Sequence, residues 1–368
     1  MQVNAAVVRA ARAPMSLETL DLDDVRENEI LVRLTATGIC HTDLAMRDQA
    51  FPVPQPIVLG HEGAGVVERI GRAVTKVGVG DHVVMSFNSC GHCPSCMEHE
   101  PTYCHDFFGS NFAGARADGT SPLSKGTERI HGNFFGQSSF ATRSICTERN
   151  IVKVAKDVPL ELLGPLACGI QTGAGAIMNT LKPHAGQSLA VFGSGSVGMS
   201  ALMAANAIGL TTIIAIDLVD ERLALARTLG ATHVINPSST PDTVAEIRKI
   251  TGHGVNFSFE TTGAPKVLRQ AVEALAPRGT CGFVGAAPLG TEVSFDVMDI
   301  MTQGKKLRGI VEGDSTPDVF IPQLIELHRQ GRFPFDRLVT FYPFEKINEA
   351  ISDAESGKAI KPIVRMAG

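Results

Sequence analysis

Cys90, Cys93 and Cys96 recur at successive CxxC spacings, and Cys104 follows one loop later. Four thiols so spaced can surround one tetrahedral ion, and Zn²⁺ is the usual occupant of a closed Cys₄ site. Four thiols buried only as small hydrophobes would fit poorly with the polar, turn-forming residues among them: Asn88, Gly91, His92, Pro94 and Ser95. An iron–sulfur cluster uses similar runs and ranks behind zinc.

Three further segments carry isolated soft ligands in turn-like surroundings. They are Gly38-Ile39-Cys40-His41-Thr42-Asp43, Gly60-His61-Glu62-Gly63 and Gly164-Pro165-Leu166-Ala167-Cys168-Gly169. Taken alone, Cys168 would more often be a buried small residue than a ligand.

A third kind of chemistry sits at Val191-Phe192-Gly193-Ser194-Gly195-Ser196-Val197-Gly198. The run closes an apolar strand and opens a helix, the context in which GxGxxG becomes a dinucleotide fingerprint. Gly193 serves the tight turn, Gly195 the approach of a pyrophosphate, and Gly198 close packing of helix on strand, with the helix N-terminus toward the phosphates. Asp217 ends the next strand roughly 20 residues on, where a carboxylate accepts from a ribose 2′-hydroxyl and disfavours a 2′-phosphate, so NAD is expected over NADP. Arg222 either reaches the ribose edge or caps a solvated helix face.

These groups need a scaffold, and 368 residues suggest two domains. Hydrophobic residues at 44% and charged residues at 19% are ordinary for a globular enzyme. A net charge of −5 without a basic cluster speaks against nucleic acid. No apolar run is long enough to span a membrane, the N-terminus lacks a signal-peptide pattern, and thiols at metal spacing suit a reducing compartment, so a cytoplasmic protein is expected. Up to about Arg149, short β-type runs such as Ile30 to Leu34, Gly65 to Ile70 and Asp81 to Met85 are broken by Gly and Pro. From about Gly173, strands and helices alternate: Ser188 to Phe192, a helix from Val197, Thr212 to Asp217, a helix through Arg222 and Ala226, then Val255 to Glu260 and Thr280 to Gly285. Repeating βα units imply a parallel sheet covered by helices. The segment from about Leu307, ending in Lys361 to Arg365, returns to mixed short elements, and a long irregular stretch is expected between Cys104 and Phe140.

In order along the chain, the GxCHTD, GHExxG, four-cysteine and GxGxxG motifs resemble the zinc-dependent medium-chain alcohol dehydrogenases. The resemblance covers essentially the whole chain. It implies an α/β protein with a β-rich, GroES-like catalytic domain over 1–172 and 308–368, a Rossmann NAD-binding domain over 173–307, and the active site in the cleft between them. It implies two zincs: a catalytic one held by Cys40, His61 and Cys168, and a structural one held by Cys90, Cys93, Cys96 and Cys104. Glu62 would be an acid that visits the catalytic metal, and Asp43 would orient His61. Zinc as a Lewis acid lowers the pKa of a bound alcohol, so that hydride can pass to the nicotinamide. Thr42 matches the family's proton-accepting hydroxyl. The relay's usual terminal histidine is Ala45 here, leaving water or His41 as acceptor; His41 is also placed to meet the cofactor pyrophosphate, the preferred reading. Lys361 stands where relatives place another phosphate contact, with a solvated surface lysine as the alternative. A homo-oligomer, dimer or tetramer, is implied.

Within the family, the closest likeness is to bacterial aryl-alcohol (benzyl alcohol) dehydrogenases, carried by Arg47-Asp48-Gln49, Phe51-Pro52-Val53-Pro54, Asp106-Phe107-Phe108-Gly109, Gln137-Ser138-Ser139-Phe140 and Leu163-Gly164-Pro165-Leu166. The implied substrate is a primary aromatic or allylic alcohol, whose flat conjugated aldehyde suits a Phe-lined slot. Of Phe87, Phe107, Phe108, Phe112, Phe134, Phe135 and Phe140, most are expected to pack the core and one or two to line the pocket. Two rivals stand. A glutathione-dependent formaldehyde dehydrogenase needs basic residues for the glutathione carboxylates, with Arg116 a candidate. A non-enzymatic zinc ribbon has no use for the second ligand set.

Overall fold

The computed structural model describes residues 1–366. The chain forms two compact units and passes between them after Cys168 and after Ser315, with Glu326–Phe335 also in the second unit. From sequence, these joins were expected at 172/173 and 307/308.

The first unit is built on two largely antiparallel sheets, of five and seven strands. Glu29–Gly38 is central to the larger sheet, pairing antiparallel with Glu62–Ile70, Arg143–Thr147 and Lys361–Arg365. Its side chains alternate between faces. Ile30, Val32 and Leu34 join Val67, Val83 and Ile151 in one apolar cluster, while Leu31 joins Leu20, Ile57 and Phe140 in another. Both faces are therefore covered, which explains the nearly unbroken apolar run. The stretch expected to be irregular after Cys104 instead holds the helix Phe107–Phe112, a hairpin of Leu123–Lys125 with Glu128–Ile130, and a 3₁₀ turn at Phe134–Gly136. Three-residue strands are too short to show periodicity, so this correction could come only from their pairing.

The second unit carries six parallel strands. In sheet order they are His233–Ile235, Thr212–Ile216, Ser188–Phe192, Val255–Glu260, Leu275–Phe283 and Lys306–Gly309. Numbered along the chain this is 3-2-1-4-5-6, the doubly wound Rossmann order, whose reversal beside the first strand marks the ligand-binding end. Ser188–Phe192 is buried throughout, and the helix Ser196–Ala207 that follows it is mostly Ala, Ser, Gly and Met, small or pliant enough to bury nearly every residue. No helix among the described residues is long and apolar enough to cross a membrane.

Candidate active site

Local backbone chemistry places the first ligand. Cys40 is the N-cap of the helix His41–Arg47, and Asp43 at N3 returns its carboxylate to the Cys40 N–H at 3.0 Å, the reciprocal half of a capping box. The same carboxylate accepts from the Gly60 N–H at 3.1 Å and lies 2.8 Å from His61 Nδ1. Since a carboxylate can only accept, Nδ1 carries the proton and the neutral ring's lone pair sits on Nε2. Cys168 enters from the end of the 3₁₀ turn Gly164–Ala167, whose Ala167 carbonyl accepts from Ser86 Oγ at 2.7 Å.

Cys40, His61, Glu62 and Cys168 offer ligand atoms that all lie within 4.8 Å of one another, with the Cys40 and Cys168 sulfurs 4.0 Å apart. His61 is fully buried, yet its Nε2 has no hydrogen-bond partner. A buried, unpartnered lone pair facing two sulfurs is costly without an electrophile. The donor set fits a three-ligand zinc with room for a fourth group. The Cys168 sulfur draws the Cys40 thiol well below its ordinary pKa; burial opposes this, and the Lys361 ammonium and His61 reinforce it, favouring the ligating thiolate. Burial alone would lower the His61 pKa, but Asp43 and Cys40 reverse this and raise it well above the usual value, so the surroundings favour a positive charge at Nε2, whether a proton or a metal ion.

Lys361 is corrected by the structure. It is only 1% exposed, so it is no surface lysine. Its ammonium donates to Glu62 Oε1 and Oε2 at 2.8 and 3.0 Å and to the Ile39 carbonyl at 3.4 Å. Three acceptors take up its three N–H groups, leaving none for a cofactor phosphate in this arrangement. Burial disfavours the charge on each partner, but contact with both carboxylate oxygens makes the ion pair the form we assign; Lys361 is held above the ordinary lysine value. Gly38 provides the space, since a Cβ there would lie 2.0 Å from Glu62 Oε2.

Thr42 is half-buried with Oγ1 3.8 Å from Cys40 Sγ, beside the ligand cluster; His41 is exposed, and Ala45 offers no proton-carrying atom. Gln137, which sequence reasoning matched only as likeness, clamps this region. Its Nε2 donates to the carbonyls of His61, Met85 and Ser86, and its Oε1 accepts the Gly63 N–H at 3.1 Å. Of the phenylalanines, Phe87, Phe134, Phe135 and Phe140 are buried, Phe107 and Phe112 are intermediate, and Phe108 is 68% exposed. Phe135 stacks on the His61 ring, a contact without a sequence signal.

The four lobe cysteines also place their sulfurs within 4.8 Å of one another. Backbone N–H groups of Cys90, Cys93 and His105 point at the sulfurs of Cys104, Cys90 and Cys93 at 3.2 to 3.4 Å. Such donors stabilise thiolates and fit a closed Cys₄ zinc site.

In the second unit each glycine of the nucleotide motif meets a different demand. Gly193 has φ +95°, and a Cβ on it would fall 2.5 Å from Thr261 Oγ1. A Cβ on Gly198 would fall 1.9 Å from the Gly193 carbonyl, so helix and strand pack through that atom's absence. Gly195 faces nothing within 4 Å, the open cradle a diphosphate needs. Asp217 accepts the Ser194 N–H at 2.6 Å and the Val219 N–H at 3.0 Å, holding its carboxylate beside the loop. Val197 stands in the first turn of the following helix, and Ser194 Oγ and Arg222 Nε are buried without partners. These features fit a dinucleotide.

Comparison with known proteins gives two family matches along the chain. Residues 26–156 match the alcohol dehydrogenase GroES-like domain and residues 196–328 the zinc-binding dehydrogenase family. The chain belongs to the zinc-binding alcohol dehydrogenase family. It is 47% identical over 365 residues to a geraniol dehydrogenase of Castellaniella defragrans, covering 99% of this chain and 98% of that protein. Among solved structures, a benzyl alcohol dehydrogenase from Acinetobacter calcoaceticus is 51% identical with TM-score 0.96, each chain covered in full. A zinc-binding-domain alcohol dehydrogenase from Burkholderia ambifaria is 56% identical with TM-score 0.98, again over the full length of both.

Proposed function

We propose that this dehydrogenase oxidises a primary aromatic or allylic alcohol reversibly to its aldehyde with NAD. Cys40, His61 and Cys168 would hold a catalytic zinc, and Cys90, Cys93, Cys96 and Cys104 a structural one. The observation that carries the reading is the buried, unpartnered His61 Nε2 among two sulfurs and an acid. Zinc supplies Lewis acidity toward the alcohol oxygen, and NAD accepts the hydride. Thr42 Oγ1 is the group that takes the alcohol proton, Asp43 holds His61, and Lys361 holds Glu62. With Ala45 unable to carry the proton further, it passes to water or to the exposed His41, whose position also suits the cofactor pyrophosphate. Asp217 selects NAD. The relatives named for geraniol and benzyl alcohol support a conjugated substrate.

The rivals lose ground on particular residues. Arg116, the candidate for glutathione carboxylates, is buried and donates to Glu29 at 2.7 Å and Asp23 at 2.7 Å. A zinc ribbon would leave the second ligand cluster without a purpose. No disulfide joins the cysteines among the described residues, which suits a reducing cytoplasm. A homo-oligomer is supported by the edge strand Lys306–Gly309, exposed at every residue, and by nearby Val297, Met298 and Met301, which are 74%, 58% and 64% exposed.

The test is NADH formation from NAD with benzyl alcohol, geraniol, ethanol and hydroxymethylglutathione, with zinc measured on the same sample. Turnover of benzyl alcohol or geraniol with two zincs per chain is expected. Turnover of hydroxymethylglutathione alone would move the protein to the formaldehyde branch. Cys168→Ala should lose one zinc and all turnover while binding NADH nearly normally; retained activity would sink the metal assignment.

A further inference from the structure

The backbone from Asn133 to Ser138 is strained to an unusual degree. Asn133, Phe135 and Ser138 all have positive φ, at 63°, 51° and 58°, and Gly136 joins them at 66°. Left-handed backbone is unfavourable for a side chain as bulky as phenylalanine, and such residues persist only where the surroundings over-determine them. Here they do. Asn150 Nδ2 donates to the carbonyls of Phe135 and Gly136 at 3.2 and 3.1 Å. Ser138 Oγ accepts the Phe134 N–H and donates to the Val58 carbonyl at 2.6 Å, and Asn133 Nδ2 donates to the Ala115 carbonyl at 3.0 Å.

The turn delivers one ring to one place. Phe135 lies on the face of the His61 imidazole, with centroids 4.5 Å apart and planes 28° apart, while Phe134 meets the same imidazole edge-on at 5.8 Å. Phe135 is itself wedged by Phe112 at 5.1 Å and Phe134 at 4.9 Å. Asp43 fixes only one edge of His61, and a single hydrogen bond leaves the ring free to tilt about it. Resting on the proposed metal reading, we infer that Phe135 is a positioning residue for the metal: its stacked ring fixes the tilt of His61, aims Nε2 between the two sulfurs, and keeps water from that face of the ligand. Known partners of metal-bound histidine act through the other ring nitrogen; this one acts through the ring's face.

The experiment uses Phe135→Leu, with Phe112→Leu as control because Phe112 touches Phe135 and is not among the rings stacked on His61. Zinc affinity is read by chelator competition, and ligand geometry by the visible absorption of the Co²⁺-substituted protein, the Cys₄ site serving as internal reference. Phe135→Leu should weaken zinc at the three-ligand site about tenfold, the scale of losing an outer partner of a metal ligand. It should also shift that site's Co²⁺ bands while the Cys₄ bands stay fixed. Phe112→Leu should do neither. Unchanged affinity and bands in Phe135→Leu, even with an altered KM for alcohol, would overturn the proposal and leave Phe135 a wall. Equal losses in both variants would also overturn it, since that marks general loosening. Phe135→Met serves the same comparison if the leucine variant does not fold. A Cys168→Ala variant that keeps both zincs would instead sink the metal reading itself.

Discussion

Asp43 does two jobs with one carboxylate, closing the cap of the helix that starts after Cys40 and holding His61 Nδ1. Such economy explains why a motif of consecutive residues could be read at all: cap and ligand partner lie within one helical turn. The nucleotide loop is similar, for three glycines meet three separate steric demands, two against protein atoms and one against open space. Asp217 is the residue at which cofactor choice can be tested. On the proposed reading, in which its carboxylate accepts from the ribose and repels a 2′-phosphate, Asp217→Ala should weaken NAD binding and narrow the preference over NADP by about tenfold or more. Titration of the protein with NADH and NADPH, read by nucleotide fluorescence, would show it. An unchanged ratio would remove Asp217 from the site. Lys361 marks the opposite limit: nothing in Lys361-Pro362-Ile363-Val364-Arg365 distinguishes a surface lysine from one buried against Glu62, because the partner lies 299 residues away.

At the scale of elements, the well-predicted segments are those whose pattern repeats long enough to show. Ser188–Phe192 and Val255–Glu260 fall where expected, whereas the elements after Cys104 are too short for period or propensity to mark. What ties that second group down is long-range pairing and buried charge. Arg116, from the segment between the short elements, is 7% exposed and bridges to Glu29 at the head of the central strand. Arg116→Met should lower unfolding stability by about 3–5 kcal/mol, because Glu29 is left as a buried charge without its partner. Urea unfolding of both proteins measures this. A loss below about 1 kcal/mol would mean that water reaches Glu29 and that the pair behaves as a surface one.

At the scale of the whole molecule, the chain leaves the edge of its parallel sheet exposed at Lys306–Gly309, and the helix Val297–Gln303 just before it in sequence exposes Val297, Met298 and Met301. Exposed sheet edges invite pairing unless charge or cover blocks them. If this face is the subunit interface of the proposed homo-oligomer, Met298→Asp combined with Met301→Asp should give a monomer without unfolding it, since both side chains are already more than half exposed. Light scattering during size-exclusion chromatography reads the mass directly; an unchanged oligomer places the interface elsewhere. By itself the sequence determined the donor types, the cysteine spacing, the glycine turn and the alternation of strands and helices, because each depends on residues within a few positions of one another. Only the tertiary structure decided that Lys361 faces Glu62, that Gln137 clamps His61 and Gly63, that Arg116 belongs to Glu29, and that Phe135 lies flat on His61. Those pairings join distant parts of the chain through burial, and burial is settled by how whole sheets and turns pack.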